Sequence, residues 1–289
     1  MLNKASHVRF PFLLVAISIA ALVGCDRQPS DAGTDPGTDG GPQGKLTLTG
    51  SSTVAPLAGE LAKRYESLHP GVRIDVQTGG SSRGIADVRR GTADIGMASR
   101  ALKPGEEDLA AHTIALDGIA VIVHRDNPVA SLSDEQVVAI YTDQVNNWNE
   151  VGGPDAPITV VNKAEGRSTL ELFLAHYKLK AEDIRADVVI GDNQQGILTV
   201  SGDPNAIGYV SIGTAAYESS NGTPIRMLPM AGVVPSLATV RDGTFPLSRP
   251  LNLVTHGEVS QLAEAFITFC QSAGANDLVE AQYFVPIAE

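Results

Sequence analysis

Residues 45–100 read KLTLTGSSTVAPLAGELAKRYESLHPGVRIDVQTGGSSRGIADVRRGTADIGMASR. Lys45 to Gly50 alternates apolar and polar side chains, the period of a strand. Leu57, Leu61, Tyr65 and Leu68 then recur at helical spacing, Pro56 suits a first turn, and His69-Pro70-Gly71 stops the helix. Val72 to Val76 alternates again, Gly84 to Arg90 is helical up to Gly91-Thr92, and Ala93 to Ala98 is a buried strand. This is βαβαβ at short spacing. It predicts an open α/β sheet whose ligand loops lie at the C-terminal ends of the strands.

Three segments share one chemistry: Gly50-Ser51-Ser52-Thr53, Gly79-Gly80-Ser81-Ser82-Arg83-Gly84 and Gly166-Arg167-Ser168-Thr169. Each places glycine before hydroxyl side chains and ahead of an apolar run of helical spacing. The first N–H groups of a helix lack intrahelical partners and carry the positive end of its dipole. Glycine admits a ligand to that backbone, and hydroxyls add uncharged donors. Converging, three such starts would cage a small oxyanion. Singly, each reads as a helix cap before it reads as an anion site: Ser168-Thr169-Leu170-Glu171 fits a capping box worth about 1 kcal/mol with no ligand. The paired hydroxyls favour a site, since one cap needs one oxygen.

Ile114 to Val123 is nearly all apolar apart from Asp117 and Gly118, as in a long buried strand passing between two lobes. Ser133 caps a helix with Gln136 completing a capping box. Trp148, the only tryptophan, sits in a polar loop. Pro157 to Val161 is a strand, Leu170 to Tyr177 a helix, Ala206 to Val210 a returning strand, and Gln261 to Gln271 an amphipathic helix.

At the N-terminus, Lys4 and Arg9 precede an apolar stretch, Phe10 to Leu22, of 13 residues. That is short of the roughly 20 needed to span a bilayer and reads as an export signal over residues 1–24. Leu22-Val23-Gly24-Cys25 resembles a bacterial lipobox, which implies lipidation of Cys25. Asp26 follows, and in proteobacterial lipoproteins that resemblance implies retention at the inner membrane. Residues 25–44, rich in Gly, Pro, Asp and Thr, cannot bury enough apolar surface to offset ordering and form a tether. The formal charge is −12, and removing Lys4 and Arg9 makes it −14. Such a chain is unsuited to binding nucleic acid or anionic headgroups through a basic patch. It can hold an anion only by local dipoles and a few placed cations. Cys25 and Cys270 are the only cysteines, so with Cys25 lipidated no internal disulfide forms, and Cys270 is expected in the core.

The ordered set Gly50 to Pro56, Gly79 to Gly84, Ala93 to Arg100, Asp117 to Val121, Asn147-Trp148-Asn149, Gly152-Gly153 and Ala206 to Val210 resembles the phosphate-binding subunits of bacterial phosphate ABC transporters. The resemblance runs through residues 46–289. It implies a two-lobed α/β periplasmic-binding-protein fold of type II, with the ligand in the cleft between lobes. Lobe 1 is expected from 45–123 and 211–289, and lobe 2 from 124–210. By position, Ser52, Thr53, Ser81, Ser99, Arg167, Ser168 and Thr169 would contact phosphate, with Ser51, Ser82, Arg100, Asp117 and Lys163 as further candidates.

The third segment departs from the family pattern. Lys163 stands where an arginine is common, and Arg167-Ser168-Thr169 replaces a Ser-Gly-Thr triplet. Arg167 would supply the planar, bidentate donor, leaving Lys163 as a solvated neighbour. Selectivity is open: phosphate near neutral pH keeps a proton that a carboxylate could accept, whereas sulfate has none. Ser99 occupies the family position where an aspartate can sit. Asp117 is then either the substitute acceptor or a loop aspartate bonding its own backbone, and Arg100 either a phosphate neighbour or the partner of Asp117.

No Gly-x-Ser-x-Gly elbow, His-Glu-x-x-His pair or paired-cysteine motif is present, and the histidines at 69, 112, 124, 176 and 256 lack ligand spacing. The expectation is therefore a non-enzymatic, monomeric, lipid-anchored binding protein without metal or cofactor. Its partners are inorganic phosphate and the transmembrane permease subunits of an ABC transporter. The competing readings are a secreted phosphoester hydrolase, a binder of another tetrahedral oxyanion, and a phosphate sensor.

Overall fold

The computed structural model describes residues 42–287. The expected export signal, Cys25 and nearly all of the expected tether lie outside the described residues. In chain order the elements are β1 (Gly44–Gly50), α1 (Ala55–Leu68), β2 (Val72–Thr78), α2 (Ser81–Arg89), β3 (Ile95–Ala98), β4 (Leu109–His124), α3 (Asp134–Tyr141), β5 (Thr159–Lys163) and α4 (Ser168–Tyr177). They continue with β6 (Val188–Ile190), α5 (Asn193–Gly202), β7 (Ala206–Ser211), α6 (Ile212–Ser220), β8 (Ile225–Met227), α7 (Leu237–Arg241), β9 (Ser248–His256), α8 (Gln261–Cys270) and α9 (Asn276–Ala281).

The strands lie in the order β2-β1-β3-β9-β4-β7-β5-β6, with β8 also on β4. As the opening stretch predicts, β1 pairs in parallel with both β2 and β3. β4 is the organising strand. Its first part pairs antiparallel with β9 as far as Gly118, and from Ile119 it pairs with β7. The two larger of the four apolar clusters among the described residues form on either side of that handover. One gathers Leu48, Leu57, Leu61, Met97, Leu253 and Phe266; the other gathers Val121, Tyr141, Trp148, Phe173, Tyr209 and Phe245. Two cores joined through continuous strands make the two-lobed α/β fold.

The chain crosses between cores in β4 and again at the start of β9. Ile212, Leu228, Met230, Val240, Phe245 and Leu247 pack in the second core, whereas a division at residue 211 assigns their segment to the first lobe. Cys270 is buried, as expected.

Several local features differ from the sequence reading. α2 begins at Ser81, so both of its hydroxyls fall in the first turn. Asp117 is not in a loop but within β4. Trp148 is fully buried and donates Nε1–H to the Asn205 carbonyl at 2.9 Å. α3 carries the expected Ser133–Gln136 capping box. The box expected at Ser168 and Glu171 does not form: α4 has no side-chain cap, and both side chains are drawn into contacts across the molecule.

Candidate functional site

The three glycine–hydroxyl segments meet. Gly50 leaves β1 at a φ of 134°, and a Cβ there would lie 2.3 Å from the Met97 carbonyl oxygen, so only glycine lets the strands close at this corner. Gly80, at a φ of 97°, brings the start of α2 against the loop before α4, where a Cβ would lie 2.7 Å from the Gly166 oxygen. These two glycines place three helix starts around one point.

There the hydroxyls link into a ring that one backbone donor closes. Ser99 and Ser168 share a bond of 2.6 Å, Ser81 Oγ donates to Ser168 Oγ at 3.1 Å and accepts the Ser99 backbone N–H at 3.2 Å, and Ser51 Oγ joins by donating to Ser99 Oγ at 2.9 Å. A cavity of about 10 Å³ at the centre is lined by Ser51, Ser52, Thr53, Gly80, Ser81, Ser99, Arg167, Ser168 and Thr169. All seven expected contact residues and Ser51 are thus brought together. No carboxylate lines this cavity.

The other four candidates stand one step outside. Ser82 donates to Glu171 Oε1 at 3.1 Å. Arg100 forks onto Glu106, both bonds at 2.8 Å, and its Nε lies 3.0 Å from Glu171 Oε2. Burial lowers the Arg100 pKa, but these two carboxylates outweigh it and raise the net value. Asp117 does not pair with Arg100. Its Oδ2 accepts from Nη2 and Nε of Arg249 at 2.9 and 3.1 Å, and its Oδ1 accepts the Gly213 N–H at 3.2 Å. Lys163 is not a solvated neighbour: it is 3 % exposed and donates to the Asp192 carbonyl at 2.7 Å and to Asn193 Oδ1 at 3.0 Å. Burial, followed by the positive Arg249 and Arg167 against an opposing Asp192, pushes its pKa down to about 7.

Two residues were absent from the sequence reading. Arg249 is buried behind the ring and donates to Thr169 Oγ1 at 3.0 Å and to Ser99 Oγ and Thr53 Oγ1 at 3.3 Å each. Burial lowers its pKa, and Asp117 opposes that shift. Asn193, first residue of α5, donates Nδ2–H to Thr53 Oγ1 at 3.1 Å. The available signal for Arg249 was one arginine opening the apolar run Arg249 to Val254, obscured by Pro250. A proline inside a run argues against a central strand because it cannot donate to the ladder. Here it is tolerated: the pairing with β3 ends at Asn252, and Leu116, opposite Pro250, exchanges its hydrogen bonds with Val285.

The site is therefore a ring of neutral donors at helix starts, backed by one buried, counter-ioned guanidinium and flanked by Arg167. It straddles both cores, since β1, α2 and β3 supply one side and the loop and first turn of α4 the other. Glu171 ties the sides together further, with Lys103 at 2.8 Å and Arg100 at 3.0 Å. Among the described residues no group of three or more His, Cys, Asp or Glu side chains could hold a metal ion.

Fold and site define a cleft-type oxyanion-binding protein. The PBP superfamily domain matches residues 36–273. A Clostridium perfringens structure described as a phosphate ABC transporter substrate-binding protein with bound phosphate is 32 % identical, with a TM-score of 0.79, covering 84 % of this chain and 100 % of that one. An ABC-type phosphate transport receptor from Vibrio cholerae is 30 % identical, with a TM-score of 0.69, covering 83 % of this chain and 99 % of that one. The phosphate-binding protein PstS of Bacillus subtilis is 29 % identical over 252 residues, 85 % of this chain and 82 % of its own. The chain belongs to the PBP superfamily and, within it, to the family of phosphate ABC transporter substrate-binding proteins.

Proposed function

We propose that this protein captures inorganic phosphate outside the cytoplasmic membrane and delivers it to the permease of an ABC transporter. The observation that carries this reading is the hydroxyl ring built from both lobes around one small cavity, with Arg249 behind it. Ser52, Thr53, Ser81, Ser99, Arg167, Ser168 and Thr169 are the contacts, joined by Arg249 through the hydroxyls that it orients. On loading, hydroxyl–hydroxyl bonds exchange for bonds to the anion, while helix-start N–H groups and the two guanidiniums balance its charge. Because hydroxyls rotate, one lone pair can accept the phosphate proton, the role a carboxylate would otherwise fill.

Closure brings the two sides of the ring together on the anion, and the closed form is what the permease would recognise. The lobes are proposed to divide at the crossings in β4 and at the start of β9. The protein is further proposed to act as a monomer held to the outer face of the membrane by lipid on Cys25. Among the described residues no helix is long and apolar enough to cross a membrane.

Isothermal titration tests the assignment: phosphate should bind tighter than sulfate, and the reverse order sinks it. Incubation with a chromogenic phosphoester and divalent metals should give no turnover; turnover would favour a hydrolase. Cys25→Ser should move the protein from the membrane to the soluble fraction, and retention at the membrane would refute the anchor.

A further inference from the structure

Lys163 is the one candidate cation that neither reaches the cavity nor pairs with a carboxylate side chain within hydrogen-bond distance among the contacts described above. Its ammonium touches Asn193 Oδ1 at 3.0 Å and the Asp192 carbonyl at 2.7 Å. An ammonium is only a donor, so it dictates which way the Asn193 carboxamide faces: oxygen towards Lys163, NH₂ away. The NH₂ group then meets Thr53 Oγ1 at 3.1 Å. Arg249 Nη2 donates into the same oxygen at 3.3 Å. A hydroxyl has two acceptor sites and one proton. Both acceptor sites of Thr53 are filled by groups that can only donate, so its own O–H is left to donate, and Thr53 lines the cavity.

We propose that Lys163 is a positioning residue which, through Asn193, makes the Thr53 hydroxyl an obligate donor to the bound anion. The inference rests on the oxyanion reading of the preceding subsection. Remove the ammonium, and the carboxamide is free to turn its oxygen towards Thr53. The hydroxyl then donates to Asn193, and a lone pair instead of a proton faces the anion. The exchange turns an attractive contact into a repulsive one without moving a heavy atom in the ring.

The surroundings make the charge on Lys163 adjustable. Asp192 at the start of α5, Arg167 before α4, and Arg249 on β9 with its counter-ion Asp117 on β4 are the charged groups around it. Tyr209 on β7 accepts the Lys163 backbone N–H at 3.4 Å and, buried, has its own pKa pushed up, so it stays neutral. With Lys163 held near a pKa of about 7, an anion arriving in the cavity favours its protonated form and hence the productive carboxamide orientation.

A double-mutant cycle tests this, with phosphate affinity read by titration calorimetry at pH 6.5, below the Lys163 pKa. Lys163→Met should weaken binding about tenfold in the wild-type background, but less than about twofold when Thr53 is already Val. Equal losses in both backgrounds overturn the proposal, because Lys163 would then act on the anion by charge alone. Asn193→Asp covers the case in which the lysine variant fails to fold. It keeps the shape and the bond to Lys163 but cannot donate, so binding should weaken by a similar factor while urea stability is kept; unchanged affinity overturns the proposal. A wild-type chain that binds no phosphate overturns the functional reading together with this one, and is distinguished from equal losses by the first titration.

Discussion

Arg249 and Asp117 are both 1 % exposed at the side chain and lie 2.9 Å apart. Arg249→Met keeps most of the volume and deletes the charge. Asp117 would then sit buried with the Gly213 N–H as its remaining described partner. Breaking a buried pair from one side costs about 3–5 kcal/mol, a large share of the 5–15 kcal/mol typical of a folded domain. Adding Asp117→Asn removes the stranded charge while keeping its acceptor for Gly213, so the double variant should recover most of that loss. Binding should behave differently. Arg249 donates to hydroxyls on Thr53, Ser99 and Thr169 and places positive charge behind the cavity. Losing charge-assisted bonds worth about 1.5–3 kcal/mol in all weakens phosphate binding about 10- to 150-fold. The double variant does not regain it. Urea denaturation and titration calorimetry on wild type, both single variants and the double variant read the two effects separately. A double variant that binds phosphate like wild type would refute the role given to Arg249, as would a single variant no less stable than the double.

Lys163 has a folded-state pKa of about 7, below the roughly 10.4 of an exposed lysine. Between those values the unfolded chain binds the proton and the native chain does not, so this contribution to stability rises with pH and is lost as pH falls through 7. Relative to Lys163→Met, wild type should gain about 2 kcal/mol between pH 7 and 9 in urea titrations; parallel profiles would refute it. Glu171→Gln removes the charge that Arg100 and Lys103 share across the cleft. Partly exposed pairs are worth about 1 kcal/mol, so phosphate release in stopped-flow should quicken about fivefold, and an unchanged rate would show that these pairs do not hold the cleft shut. Trp148→Ala empties a fully buried position and should cost about 3–5 kcal/mol of stability, seen as a lower urea midpoint.

The first half of the sheet was legible because its signals are local. β1, α1, β2 and β3 fall within a few residues of where alternation, helical spacing and Gly or Pro stops put them. The hydroxyl segments were legible as helix starts, since glycine and serine before an apolar run act over one turn. α2 starting at Ser81 instead of Gly84 is a boundary error of the same local reading. β9 was missed because Pro250 reads as a strand breaker, and only the register of its neighbours shows that no ladder donor is needed there.

What the sequence by itself determined is therefore the kind of fold and the chemistry at three helix starts. These depend on periodicity and capping within short windows. What only the tertiary structure decided is where the charges go. Asp117 and Arg249 are 132 residues apart, and Ser99 and Arg249 are 150 apart. Whether an arginine is buried depends on which carboxylate arrives beside it, and no local pattern encodes that arrival. Lys163, one position in a strand, is a buried director of Asn193 instead of a solvated cation for the same reason: desolvation is set by everything packed around a charge.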